Sequence, residues 1–433
     1  MLVFGKKFLH DKINLLSLFM YQGSNALFPV IAFPFLLHVL GVVKYGQIAI
    51  AEAVALFVVS AVLYGFDVTG VARILHPVNK EDKGSVSVVF FGVLFARLMI
   101  FFLCLLLLLL SSIVINKQQV MLICIWLMVP LGYILQSSYF FVATESNLVP
   151  AVITLVVKLV FLALLFLCVN KASSTYFVSI IIGLSYVVAG FISLLYIVFR
   201  HDVKKARLGA NHTLKYLKED APVFYGNVSV VFYKEFNLLI LGFMHGSSVA
   251  IATYSIAAKI ITCFQASIRP LNQYFYPKIV HRLSSVNYNV GKVFRVVAGK
   301  SIVQLAIILT MGIVALILFK LNYTRVAALL HNIDLVSLSL NIHMMFFATL
   351  FGAANFMFGS CGLNALLYKK EYAKIMIFTA VVNVLTGFLL VHFIGAYGAP
   401  VNFLLAEVFL TTCVFFVYFK NWGVSRAHEV AVT

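Results

Sequence analysis

The chain has 433 residues, 63% of them hydrophobic and only 11% charged, with a mean hydropathy of +1.05. A soluble domain carries about 25% charged residues, so there is too little polar surface here to cover a water-soluble particle, and the long unbroken apolar runs exclude the alternating strands of a membrane β-barrel. The formal net charge of +18 would suggest nucleic acid in a soluble protein, but here the cations fall mostly in short loops between apolar stretches, which speaks for membrane orientation and against nucleic acid.

A membrane-crossing helix needs about twenty apolar residues. In chain order, qualifying stretches lie at 14–38, 47–66, 86–112, 119–141, 148–169, 176–199, 222–243, 248–272, 296–319, 336–361, 372–394 and 397–419. The sequence therefore predicts an all-α, multi-pass integral membrane protein with about 12 transmembrane helices. Pro29 and Pro34 fall inside the first stretch, where each removes a helix hydrogen bond and is expected to bend it. The longest hydrophilic segment separates the sixth and seventh stretches. It predicts a six-helix bundle over 1–200, a basic cytoplasmic linker over 201–221 and a second six-helix bundle over 222–433. With the amino terminus inside, the inside segments hold about 21 Lys and Arg and the outside loops about 5, so both termini are expected in the cytoplasm.

The six cysteines all lie inside apolar stretches and form no CxxC pair, so neither a zinc site nor a disulfide framework is expected. No cleavable signal peptide is recognisable, because the first apolar stretch is too long for one. His343 has no second ligand at metal spacing and reads as a bundle histidine. No metal and no cofactor are expected.

Charges within the apolar stretches carry the functional information, because a charge at the bilayer centre is costly and turns toward a bundle interior or a water-filled cavity. Arg97, Lys158, Lys234 and Lys259 lie near the middle of their stretches, as do Glu235 and Glu407. Glu52, Asp67, Arg269 and Lys300 lie nearer the ends, where long side chains can snorkel. Lys234 and Glu235 are adjacent, and so point to different helix faces and do not neutralise each other within the helix. Four central cations against two central acids suggest a positively charged cavity suited to an anion such as a phosphate or diphosphate. Arg97, Lys158, Lys234 and Lys259 are the candidate ligand-binding cations. Glu235, Glu407 and Glu52 are candidates for a coupling proton or sodium ion. Asp67, Arg73, Arg269 and Lys300 are candidates toward the cytoplasmic side.

Several stretches resemble the polysaccharide-exporter branch of the multidrug/oligosaccharidyl-lipid/polysaccharide flippase superfamily, and in particular the O-antigen flippases. In the first half these are Gln22 and Asn25, then Pro34, Leu40-Gly41, Tyr45-Gly46, Tyr64-Gly65-Phe66 and Arg73. In the second half they are Phe236-Asn237 through Leu241-Gly242, then Tyr254 through Lys259-Ile260, Pro270 and Tyr276-Pro277-Lys278. Asn383, Gly395, Gly398-Ala399 and Glu407 close the series. The resemblance implies two six-helix bundles around a central cavity. It also implies transfer of an undecaprenyl-diphosphate-linked oligosaccharide, the O-antigen repeat unit of lipopolysaccharide biosynthesis, to the periplasmic leaflet by alternating access. It further implies a bacterial inner membrane, a coupling cation and a polysaccharide polymerase as a partner. The family often carries an acid before the lysine at 258–259; here Ala258 stands in its place, so no ion-coupling role carries over to that position.

Two rival readings have recognisable requirements. A cation-coupled multidrug exporter of the same superfamily would want a cavity acid for cationic drugs, against the cationic excess here. A polyprenyl-dependent membrane enzyme such as a polysaccharide polymerase would want a substantial outside loop, whereas the longest, around 321–334, holds one acid.

Overall fold

A chain this apolar must satisfy its backbone groups within its own helices. The computed structural model describes residues 2–75, 85–113, 116–201, 203, 210–244, 246–284, 288–330, 333–363, 366, 368–422 and 425–426. The first lobe comprises α1 (Leu2–Leu63), α2 (Phe66–Leu75), α3 (Ser85–Ser111), α4 (Lys117–Trp126), α5 (Met128–Gln136), α6 (Ser138–Ala143), α7 (Leu148–Cys168) and α8 (Thr175–Arg200). The second comprises α9 (Ala210–Met244), α10 (Ser248–Ser284), α11 (Val290–Leu321), α12 (Tyr323–Leu329), α13 (Leu335–Asn355), α14 (Lys369–Ile394) and α15 (Gly398–Lys420). The strand pairing found among the described residues is a two-residue bridge, Tyr288–Asn289 with Ser425–Arg426.

Nine helical stretches among the described residues are long and apolar enough to cross a membrane. Two of them, Leu16–Leu75 with 60 residues and Lys370–Lys420 with 51, are long enough to cross twice. A further crossing is the pair Val223–Phe232 and Lys234–Met244, bent by 44°. Together these match the twelve crossings expected from hydropathy.

The first double crossing turns at Gly41. A straight helix would place Pro29 and Glu52 about 35 Å apart, yet both line one cavity. Gly41 is the one residue of α1 with non-helical dihedrals, φ 78° and ψ 169°, a conformation open to glycine because it lacks a Cβ. Pro29 and Pro34 keep helical dihedrals, so the sharp turn is at the glycine rather than at either proline. Gly246, at φ 59°, occupies the same place between α9 and α10. The fold-back there brings Lys234 to Gln265, 31 residues later.

The fourth crossing of each lobe is interrupted. In the first lobe α4, α5 and α6 are separated at Leu127 and at Ser137, which is left-handed with φ 45°. In the second, α13 passes into a π-helical segment, Phe356–Leu363. Such bulges often mark functional helices.

Helix contacts in lipid depend on close approach and on polar bonds, since apolar surface alone gains little there. At the α5–α8 crossing a Cβ on Gly132 would lie 2.5 Å from the backbone of Tyr186, and one on Gly190 would strike the Gly132 carbonyl. Backbone cannot yield as a flexible side chain can. Gly190→Ala is therefore expected to destabilise the protein by about 1–3 kcal/mol, read as a lower thermal midpoint in detergent; an unchanged midpoint would show that the seam has slack. In the second lobe, Asn402 Nδ2 donates to Asn237 Oδ1 (2.7 Å) and to the Asn383 carbonyl (2.9 Å), and Thr386 Oγ1 donates to Asn402 Oδ1 (2.6 Å). This network ties α9, α14 and α15 through side chains that a hydropathy profile passes over.

The expected linker is not a free tether. From Ala210 onward it forms the first turns of α9, and those turns are fastened to the first lobe. Arg73 on α2 grips Asp220 with both guanidinium nitrogens (2.7 and 2.8 Å), reaches Glu219 (3.0 Å) and lies over the Tyr216 ring. Tyr64 stacks on Phe224 at 4.2 Å. A bidentate, partly buried pair of this kind holds geometry as well as charge.

Candidate functional site

The lobes meet along α1, α9 and α10, and between them lies an open cavity of about 1260 Å³, counting the solvent at its mouth. Its wall includes Pro29, Ala49 and Tyr254 and, farther along their helices from the turns at Gly41 and Gly246, Gln22, Leu56 and Gln265. Toward those turns the helices close. A Cβ on Gly46 would sit 3.3 Å from the Ser248 carbonyl, and one on Gly242 would sit 3.2 Å from the Ile50 side chain.

Two of the four candidate cations are on this wall. Lys234, on α9, donates to Gln265 Oε1 at 3.3 Å. Lys259, on α10, forms an ion pair with Glu52 on the second half of α1 and lies 3.5 Å from Ser255 Oγ. The two side chains of that pair are 15% and 20% exposed, so water reaches both. Glu235 is also on the wall.

A smaller recess, about 390 Å³, adjoins the cavity on the first-lobe side and shares Pro29, Glu52, Tyr186 and Lys259 with it. Its lining is largely aromatic and includes Phe28, Phe33, Tyr45, Trp126 and Tyr186. Lys158 stands behind this lining rather than on it. Its ammonium lies 3.9 Å from the Tyr186 ring centre and 5.0 Å from that of Phe28, is buried, and has no hydrogen-bond partner among the described residues. The attraction of the ring faces offsets part of its dehydration.

Arg97 is elsewhere. It is fully buried inside the first lobe, between the rings of Tyr139 (5.1 Å) and Phe66 (5.9 Å). Its Nη2 donates to Asp67 Oδ1 at 2.9 Å, and Ser138, just after the left-handed break, donates to the same oxygen at 3.3 Å. Arg97 Nε and Nη1 have no hydrogen-bond partner among the described residues.

Glu407 is buried inside the second lobe. It accepts a hydrogen bond from Asn355 Nδ2 (2.7 Å) just before the π-helical segment and packs against Gly352. Lys234 is within its electrostatic reach. Arg73 serves the α2–α9 clamp, and Lys300 is half-buried on α11, away from the cavity wall. The side chain of Arg269 lies outside the described residues. His343 bonds the Ser339 carbonyl through Nδ1 (2.6 Å), a turn back on its own helix. No grouping of three or more metal-ligating side chains occurs among the described residues.

The structure thus brings Lys234, Lys259, Glu52 and Glu235 to one cavity and sets Lys158, Arg97 and Glu407 behind it or in lobe interiors. It adds neutral residues that a search for charge overlooks: Gln22, Asn25, Tyr133, Tyr186, Ser255 and Gln265. Gln22, Asn25 and Ser255 lie in the segments that carry the family resemblance, whereas nothing in the sequence marks Tyr133, Tyr186 or Gln265.

Comparison with known proteins gives a consistent outcome. A family model described as polysaccharide biosynthesis protein matches residues 12–281. A protein of Escherichia coli (strain K12) assigned as an O-antigen transporter is 25% identical over 426 residues, covering 94% of this chain and 96% of its own. One from Shigella dysenteriae with the same assignment is 22% identical over 408 residues, covering 92% and 98%. Among solved structures, an inward-facing multidrug resistance MATE family transporter of the MOP superfamily superposes with a TM-score of 0.60. It is 15% identical, with 95% of this chain and 94% of that chain covered.

Proposed function

The chain belongs to the polysaccharide biosynthesis protein family, and from that premise we propose that it is a flippase for a polyprenyl-diphosphate-linked oligosaccharide, the O-antigen repeat unit. The observation that carries the reading is the pair of ammonium groups, Lys234 and Lys259, on the wall of a cavity between two lobes at membrane depth. A diphosphate is the ligand such a wall suits, because cations act on it strongly where water is scarce.

The positive-inside bias puts the linker end in the cytoplasm. The cavity then opens toward the cytoplasmic leaflet of the bacterial inner membrane, and the Gly46–Ser248 and Gly242–Ile50 approaches close it toward the periplasm. The headgroup enters between the lobes, with the diphosphate on Lys234 and Lys259 and the polyprenyl tail left in lipid. The lobes rock and the mouth reopens on the other side. Lys158 adds positive potential through the Tyr186 and Phe28 rings. Arg97, which pairs with Asp67 inside the first lobe, has a structural role. Glu407 and Glu235 are the candidates for a coupling proton or sodium ion, because each is within or beside the second lobe's polar interior and near Lys234. A polysaccharide polymerase would receive the product. This is transport without bond making, so the protein is read as a transporter rather than an enzyme.

The test uses proteoliposomes holding the purified protein and a polyprenyl-diphosphate oligosaccharide labelled in one leaflet. Lys234→Ala and Lys259→Ala are each expected to slow transfer about tenfold or more, the scale of one lost charge-assisted contact, with thermal unfolding showing the fold retained. Absence of transfer for wild type under imposed proton and sodium gradients, together with efflux of a cationic dye, would turn the assignment to a multidrug exporter.

A further inference from the structure

We propose that Glu52 is an internal substitute for the ligand's anionic group: it occupies Lys259 while the cavity is empty, and an incoming diphosphate takes Lys259 from it. This rests on the reading of the cavity as an anion site.

Three observations lead there. First, Glu52 and Lys259 are 207 residues apart and belong to different lobes, yet they form an ion pair and both line the central cavity and its recess. Second, the pair is only partly shielded. Glu52, at 20% exposed, can be released to water in the cavity without being stranded. Lys259 is the more enclosed partner and, when Glu52 leaves, keeps Ser255 beside it and Glu235 only at longer range, so it has no anion in contact. An enclosed ammonium left without an anion is strongly unfavourable, so Glu52 leaves readily only when another anion arrives. Third, the seam around the pair is otherwise made of close apolar and backbone approaches, such as Gly46 on Ser248, Gly242 on Ile50 and Cys263 on the Ala26 carbonyl. The exchange therefore removes a charged tie between the lobes at the moment the ligand is seated. A ligand shifts a conformational equilibrium only through contacts that differ between the two states, and this exchange supplies such a difference.

Glu52 also sets a threshold for selection. A neutral headgroup cannot replace a carboxylate at Lys259, whereas a diphosphate, with more charge and more acceptor oxygens, can. The carboxylate thus discriminates against uncharged lipids that would otherwise fit the cavity.

The experiment measures binding of inorganic pyrophosphate to the full-length protein in nanodiscs by titration calorimetry. Wild type, Glu52→Gln, Lys259→Gln and the double variant are compared. With the competitor removed, Glu52→Gln is expected to bind about tenfold more tightly than wild type, the scale of one close charge pair. In the Lys259→Gln background the same substitution is expected to give no gain. Glu52→Asp, which keeps the charge on a shorter stem, should tighten binding by a smaller factor, and it carries the same test if Glu52→Gln does not fold. Equal affinity of wild type and the Glu52 variants would overturn the proposal while leaving the anion cavity standing. A gain that persists in the Lys259→Gln background would overturn it too. Failure of every variant to bind pyrophosphate would overturn both the proposal and the reading of the cavity beneath it.

Discussion

Asp67→Ala is expected to destabilise the protein more than Arg97→Leu, although the two residues share one ion pair. Arg97 is fully buried and Asp67 is 40% exposed. Removing the aspartate leaves a guanidinium in the lobe interior with no anion. Nε and Nη1 already lack partners, and only the faces of Tyr139 and Phe66 remain. The cost expected for breaking a buried pair in this way is about 3–5 kcal/mol. Removing the arginine leaves a carboxylate that water reaches and that keeps its bond from Ser138. That loss should be about half as large, because solvent takes over part of the lost interaction. Denaturant unfolding of the two variants in detergent would measure the difference. The reverse order would mean that the guanidinium is solvated in a way its burial does not suggest. Neither variant should change pyrophosphate affinity, since neither residue is on the cavity wall.

The second large effect has the opposite sign. Lys158→Met is expected to stabilise the protein by about 1–3 kcal/mol, as replacing a buried ion by a well-packed apolar chain of similar volume often does. Lys158 has no hydrogen-bond acceptor and no ion-pair partner among the described residues, only two ring faces. A thioether packs against the same rings without the dehydration of a charge. The same variant should transport more slowly, because the positive potential at the aromatic recess is gone. A more stable and slower protein is the outcome that marks a charge kept for function. A lower thermal midpoint would show that the two rings hold the ammonium more strongly than dehydration opposes it.

These cases also show how far the sequence could be read. Crossing positions follow from hydropathy because each helix must meet lipid on its own, and that requirement is local. The double crossings separate as expected, and the positions of Gly41 and Gly246 are visible as residues, though not as left-handed turns. Of the interruptions in the fourth crossings, the one at Leu127 has a mark in Pro130, whose missing N–H cannot bond the Trp126 carbonyl, whereas Ser137 and the segment from Phe356 to Leu363 carry no proline or charge. The charge of the cavity is not legible from the count of central charges, because its wall carries two lysines and two glutamates, Lys234 and Lys259 with Glu52 and Glu235. Counting four central cations against two acids omits Asp67 and Glu52, which lie nearer helix ends, yet these are the residues that meet Arg97 and Lys259. Their partners are 30 and 207 residues away, and one sequence contains nothing that joins such positions. The asparagine network is legible only in part: the resemblance marks Asn237 and Asn383 as residues, but nothing in the sequence joins Asn402 to them, because such bonds depend on geometry.

The single-residue turn at Gly41 bears on more than packing. Its dihedrals are open only to glycine, and the chain reverses there without a loop. Gly246 and Gly395 reverse the chain almost as tightly on the same face, the one opposite the linker. To a protease or an antibody arriving from that side, the protein offers little to hold. Among the described residues, the turn around Lys171 and Ala172 between α7 and α8 and the junction of α11 and α12 around Leu321 and Tyr323 are exposed on that side. A protease added to that side of the reconstituted protein should therefore leave the three glycine turns whole and cut first where exposed chain stands clear of the helices.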